Sequence, residues 1–301
     1  MLDRLIRSIQ KVLHIVDVLG TVDILGAKVE RLETNTKNLL NSCSAGSITK
    51  DQKAIFRSHE FKVYSENSED GLINYIFSKI GCKDHTFVEI GCGNGQECNS
   101  ANLSINLGWS GILIDVDKGN IKSAKNFYQD LLGKQANKVK PLRKFINKEN
   151  VNQVIKNNIK GEVDLLSIDI DGVDYWVWKA VDVIRPRVVV IEYNASLGDK
   201  DSLTVKYKPH FNRFDYQSTP IGWYLGASLK ALTKLGRQKG YTLVGCVSAG
   251  ANAFFVREDL VSKKLPKMTV EQAYYPHLVR SRKMSSTEQK NATKTLDFIE
   301  V

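Results

Sequence analysis

Hydrophobic and polar positions change period along this 301-residue chain, and each change marks a boundary. Near the N-terminus apolar residues recur at spacings of three and four. Leu2, Leu5, Ile9, Val12, Val16 and Leu19 form one stripe, and Val18, Val22, Leu25, Val29, Leu32 and Leu39 form a second, displaced around the helix. Two narrow stripes with a phase shift predict a helical arm. It is either a coiled coil or helical hairpin joining copies of the chain, or one amphipathic helix packed on its own domain. Docking on a membrane surface through Arg4, Arg7 and Lys11 is a third reading. The small polar run from Asn41 to Ser47 reads as a linker, so residues 1–47 form a first unit.

The next helical pattern, Leu72 to Ile80, follows the acid-rich run Tyr64 to Gly71. Ser68 or Asp70 is placed to cap it, and Glu69 and Asp70 suit the positive end of a helix. From Thr86 onward, strand-like runs alternate with helical ones. Strands are predicted at 86–90, 111–115, 139–142, 163–170 and 187–192, with helices at 97–107, 118–132, 150–158 and 175–184. A longer helix at 224–239, a strand at 241–247, a small turn at Ser248 to Gly250 and a strand at 253–256 close the pattern. Such alternation predicts an α/β domain over 48–260, with a mainly parallel sheet covered on both faces. After Val261 lysine, serine and threonine accumulate and the period fades, so 261–301 is expected to be a basic, partly ordered tail.

Composition narrows the class. With 42% hydrophobic residues the chain can bury a sizeable core. A net charge of +10 and a pI near 9.2 suit an anionic partner, and equally a solvated lysine-rich surface; the lysines are dispersed apart from the run Lys134 to Lys148. The five cysteines (43, 82, 92, 98 and 246) are odd in number and make no C-x-x-C pair, which points to a reducing compartment. Asp17 and Asp23 interrupt the apolar N-terminal stretch and no run of about eighteen apolar residues occurs, so neither a signal peptide nor a membrane span is expected and the location expected is cytoplasmic.

Chemistry concentrates at Thr86 to Gly95, TFVEIGCGNG, where a buried strand ending in Glu89 runs into a turn containing Gly91, Gly93 and Gly95. Glycines there let a bulky ligand approach the main chain. A dinucleotide fingerprint needs G-x-G-x-x-G, but Gln96 stands where its last glycine should be, which speaks against NAD. The spacing E-x-G-x-G-x-G resembles motif I of the class I S-adenosylmethionine-dependent methyltransferases. Together with E-D-G at 69–71, I-D-I-D-G at 168–172 and V-V-V-I-E-Y-N at 188–194, it resembles their FkbM-like branch, with Asp171 standing where that branch commonly has Glu. The resemblance covers about residues 64–257. It implies a Rossmann-like seven-stranded methyltransferase sheet with a C-terminal β-hairpin, S-adenosylmethionine held by Glu89, Gly91, Gly93, Gly95 and Asp115, with Asp70 near the pocket, and O-methylation of a sugar, glycan or related metabolite.

Methyl transfer to a hydroxyl needs alignment and a proton acceptor. Asp169 is the first candidate, because Asp169 and Asp171 would point to opposite faces if the strand continued. His210, in the long aromatic-rich connection 195–223, is the best-placed histidine for a base. A resemblance to catechol-type O-methyltransferases implies magnesium or another divalent cation on Asp169, Glu192 and Asn194; the alternative is that Asp169 hydrogen-bonds substrate while Glu192 and Asn194 brace the sheet edge. Two other readings stay open. A nucleic-acid methyltransferase suits the charge, but the chain has D-I-D-G where base methylation usually employs N/D-P-P-Y/F. A non-catalytic scaffold assembled through the arm is the other.

Overall fold

The computed structural model describes residues 51–217, 222–261 and 265–301. The predicted helical arm lies outside the described residues, as does Cys43. The element order is α1 (Gln52–Arg57), α2 (Glu69–Ile80), β1 (Thr86–Ile90), α3 (Ala101–Leu107), β2 (Ser110–Asp115), α4 (Lys118–Leu132), β3 (Val139–Arg143), α5 (Val151–Asn158), β4 (Leu165–Ile168), α6 (Asp174–Ala180) and β5 (Val188–Glu192). It continues through β6 (Leu203–Val205), α7 (Leu229–Gln238), β7 (Tyr241–Cys246), β8 (Asn252–Arg257), α8 (Val270–Ala273), α9 (Leu278–Ser281), α10 (Ser286–Thr293) and β9 (Phe298–Glu300).

Seven strands form one sheet in the order β3-β2-β1-β4-β5-β8-β7. The five on the β3 side run parallel, and β8 enters antiparallel against β5 with Glu192 opposite Asn252. This is the α/β, Rossmann-like fold that the alternation predicted, closed by the predicted hairpin. Strands β1 and β4 are buried at every position and β5 at all but Glu192, because helices cover both faces; hence they read as unbroken apolar runs rather than alternating ones. The core is continuous from Phe87 and Ile112 through Leu165 and Val190 to Phe254 and Trp178. Close packing fixes glycines here too: a Cβ on Gly111 would stand 2.2 Å from the Phe87 carbonyl oxygen.

Caps decide where helices begin. Asp117 accepts the Asn120 amide at the start of α4, and Ser228 that of Ala231 at the start of α7. The helix expected from residue 224 starts five residues later because Ala227 and Ser228 are spent on extended pairings with Asn194 and Leu203. The helix expected from 97 starts at Ala101, since the amides of Asn99 and Ser100 are donated to the Glu89 carboxylate instead.

The C-terminal segment departs from expectation. Residues from 265 onward do not trail away as a partly ordered tail: Leu265, Met268, Val270 and Ala273 are buried, α8 and α10 carry capping boxes, and β9 pairs antiparallel with β6. Apolar residues are sparse there, so the period was faint; burial comes from polar anchors such as Gln289, whose amide oxygen accepts from the Ser196 hydroxyl at 3.0 Å. Cys82, Cys92, Cys98 and Cys246 are free thiols. Among the described residues no helix is long and apolar enough to cross a membrane.

Candidate active site

The glycine turn leaves β1 at the carboxyl ends of the parallel strands. Gly91 and Cys92 both donate to the Ile114 carbonyl, at 2.8 and 3.1 Å, which ties the turn to β2. Each of the three glycines has positive φ, for a different reason. A Cβ on Gly91 (φ +88°) would lie 1.5 Å from the Asp169 carbonyl oxygen, and one on Gly95 (φ +78°) 2.8 Å from Ala124 Cβ. At Gly93 (φ +52°) no atom of the described residues lies within 4 Å of such a Cβ, so among them this glycine faces open space. Its amide donates to Asp115 Oδ2 at 3.0 Å, while Asp115 Oδ1 accepts from the Asp117 amide at 2.7 Å. Asn120 Nδ2 also donates to Oδ1 at 3.3 Å, so of about four acceptor positions on the carboxylate one, on Oδ2, is left for a ligand hydroxyl. Gly91, Gly93, Asp115, Asn120, Phe145 and Asp169 share the lining of a cavity of about 440 Å³.

A second cavity of about 300 Å³ meets the first at Gly91, Gly93 and Asp169. Glu89 reaches it, with one oxygen accepting the Asn99 amide at 2.9 Å and the other the Ser100 amide at 2.7 Å. Burial pushes its pKa up against those hydrogen bonds. Asp70 is not in the lining of either cavity, contrary to expectation. Its Oδ2 accepts three successive amides, from Val63, Tyr64 and Ser65, so it organises the loop before α2. Its neighbour Glu69 takes the place by the pocket, accepting from Asn252 Nδ2 at 2.9 Å.

Three carboxylates meet at the rim. Asp169, Asp171 and Glu192 each bring an oxygen within 4.8 Å of the others. The expectation that Asp169 and Asp171 point apart fails because β4 ends at Ile168 and Asp171 adopts φ +54°, so the chain reverses and strand alternation no longer applies. Asp174 enforces this turn, its carboxylate accepting from Ile170 and Gly172 at 2.8 and 2.9 Å; burial lifts its pKa to about 6. Enclosure, then the neighbouring acids, holds Asp169 well above the usual carboxylate range, and Glu192 likewise. Among the described residues Glu192 Oε2 is buried without a hydrogen-bond partner.

Asn194 is not part of this set. Its Oδ1 accepts from the Ser196 amide and Arg280 Nη1, and its Nδ2 donates to the Trp223 and Leu225 carbonyls, so all of its polar capacity is structural. Nor does His210 join the acids. It stands against Phe145, ring centroids 5.5 Å apart, in a neighbouring cleft. The residues after it do reach the site: Phe211 packs on Gly172, and the Arg213 guanidinium binds the Asp171 carboxylate. Arg213, and Arg280 from the C-terminal segment, carried no motif in the sequence; isolated arginines in polar stretches give no signal of what they face.

No protein-family model and no curated protein matches the chain. Solved structures of similar shape include a magnesium protoporphyrin IX methyltransferase from Synechocystis PCC 6803 with bound SAM, at 10% identity and a TM-score of 0.40, covering 74% of this chain and 91% of that one. A precorrin-6y C5,15-methyltransferase from Geobacter metallireducens GS-15 covers 62% and 86%, at 12% identity and a TM-score of 0.37. A geranyl diphosphate methyltransferase in complex with SAM covers 58% and 66%, at 12% identity and a TM-score of 0.36. Likenesses this remote assign no role to any residue, so the functional reading rests on the site itself.

Proposed function

We propose that the chain is an S-adenosylmethionine-dependent methyltransferase of the FkbM-like kind that methylates an oxygen of a sugar, glycan or related small molecule. One observation carries the reading: Gly93 opens onto the 440 Å³ cavity and is hydrogen-bonded to Asp115, an acid from the adjacent strand, in the same lining. A strand-end acid beside an exposed glycine turn suits a nucleoside's ribose hydroxyls and the main-chain approach of its tail.

In the reaction, an acceptor oxygen displaces the sulfonium sulfur at the methyl carbon. The C–S bond breaks with its electrons going to sulfur, and the acceptor's proton leaves. We assign Asp169, in contact with both cavities, as the group that takes it. The protein's larger contribution is alignment of the two reactants.

The oxygen-only set of Asp169, Asp171 and Glu192, with the unpartnered Glu192 Oε2, fits a hard divalent cation such as magnesium. When bound, such an ion would polarise an acceptor oxygen and offset the mutual repulsion of the three acids. We retain as part of this proposal a cytoplasmic location and self-association through residues 1–47.

Calorimetry with S-adenosylmethionine and S-adenosylhomocysteine tests the core of the reading, with NAD as control. Micromolar binding of the sulfur nucleosides, lost in Gly93→Arg, is expected. Binding of NAD alone, or of neither, sinks it.

A further inference from the structure

A cleft that the methyl-transfer reading leaves unused lies beside the cofactor cavity. Arg143, Lys144, Phe145, Asn147, Asn150 and His210 line a space of about 380 Å³ that shares Val116, Lys144 and Phe145 with the larger cavity. No carboxylate is in this lining, although acids line both cavities at the glycine turn.

Its cationic groups are uncommitted and partly pre-set. Arg143 Nε donates to the Val116 carbonyl at 3.2 Å, which orients the guanidinium, and its terminal nitrogens have no partner among the described residues. The Lys144 ammonium has none either, whereas Lys148 nearby is engaged over the Tyr207 ring. The loop is knitted by its own asparagines: Asn150 donates to the Phe145 carbonyl at 2.8 Å and accepts from the Asn147 amide at 3.0 Å. Asn150 is also the N-cap of α5, an eight-residue helix, and makes no side-chain cap bond. Asn150, at the N-terminal end of that helix, is itself part of the lining, so the positive end of the helix lies beside the two cations. The rings of Phe145 and His210 form its wall.

We propose that this cleft is a phosphate-binding site, taking the phosphoryl groups of a ring-bearing ligand such as a nucleotide. A guanidinium fork, an ammonium and a helix N-terminus suit a multivalent oxyanion, and the aromatic wall suits the attached ring. The sulfur cofactor carries no phosphate, so the ligand is a second molecule. Placed against the cofactor cavity, the site fits an acceptor that arrives phosphorylated. Binding itself does not depend on the methyl-transfer reading.

The test titrates inorganic pyrophosphate and ADP into the full chain by calorimetry at two salt concentrations, with S-adenosylhomocysteine binding measured on the same samples. Pyrophosphate should bind, more weakly at the higher salt, and Arg143→Gln should lose about tenfold or more in affinity. ADP should bind more tightly than pyrophosphate. A wild-type chain that binds no pyrophosphate, or an Arg143→Gln variant that binds it as well, overturns the site; ADP binding more weakly than pyrophosphate overturns the ring wall. If Arg143→Gln fails to fold by circular dichroism, Arg143→Lys replaces it: weakened binding supports the fork, and unchanged binding overturns it. Pyrophosphate binding without S-adenosylhomocysteine binding would keep the phosphate site and remove the cofactor reading.

Discussion

Gly91 and Gly93 sit two positions apart and have positive φ, yet their surroundings give substitution opposite meanings. At Gly91 an alanine methyl would collide with the Asp169 backbone, where β1 and β4 separate. Gly91→Ala is therefore expected to cost several kcal/mol, read as a large fall in the denaturant midpoint. At Gly93 the same methyl meets no protein atom, so Gly93→Ala should cost only about 1–2 kcal/mol for the left-handed backbone, while weakening the nucleoside. Equal stability losses in the two variants would contradict this account. Asp171 makes a related point: one residue with φ +54° turns two acids that strand alternation would separate toward one centre.

Elements outside the central sheet supply what closes the site. The stretch from Pro209 to Arg213 borders the larger cavity through Phe211. Asn147 Nδ2 donates to the Pro209 carbonyl at 3.4 Å on one side, and Arg213 binds Asp171 on the other. Arg213 ends this strap and is a tryptic site, whereas the Lys208–Pro209 bond resists trypsin. If it packs over a bound nucleoside, S-adenosylhomocysteine should slow tryptic cleavage after Arg213 severalfold, while leaving cleavage in the exposed stretch Arg282–Lys283 unaltered. Protection that is equal at all sites would indicate general stabilisation instead. The segment α8 to β9 acts similarly from behind, since Arg280 and Gln289 hold Asn194 and Ser196 just after β5.

For the whole molecule, the acid centre couples fold stability to pH. Glu192 has a folded-state pKa raised by burial and by Asp169, so its neutral form favours folding. That stability is present below the unfolded pKa and is lost as pH rises through the folded one. Glu192→Gln, measured in EDTA, should therefore match the wild type near pH 4 and exceed its thermal midpoint by about 2–4 °C at pH 8. Magnesium or manganese should raise the wild-type midpoint more at pH 8 than at pH 5, and the variant's much less, because the ion competes with protons for the same oxygens. A variant that is less stable than wild type at pH 8 in EDTA argues that Glu192 has a partner there.

How much of this was legible in the sequence depended on the range of the interactions involved. Strand and helix identities followed from local period, because a parallel sheet covered on both faces demands unbroken apolar runs. The glycine turn and Asp115 were legible for the same reason, being fixed by adjacent strands of a repeated unit. Contacts between remote segments were not. Asp70 looked like a pocket acid but closes a loop, Asn194 looked like a ligand but braces the edge, and His210 looked like a base but borders the neighbouring cleft. Asp171 and Arg213 entered the site, and Arg280 came to brace the edge beside it, through a backbone reversal and long-range packing that leave no periodic trace. The sequence by itself determined the sheet and the glycine turn, since both are built from short-range rules. Only the tertiary structure decided which charged groups face one another, because that depends on where distant turns bring side chains of no particular pattern.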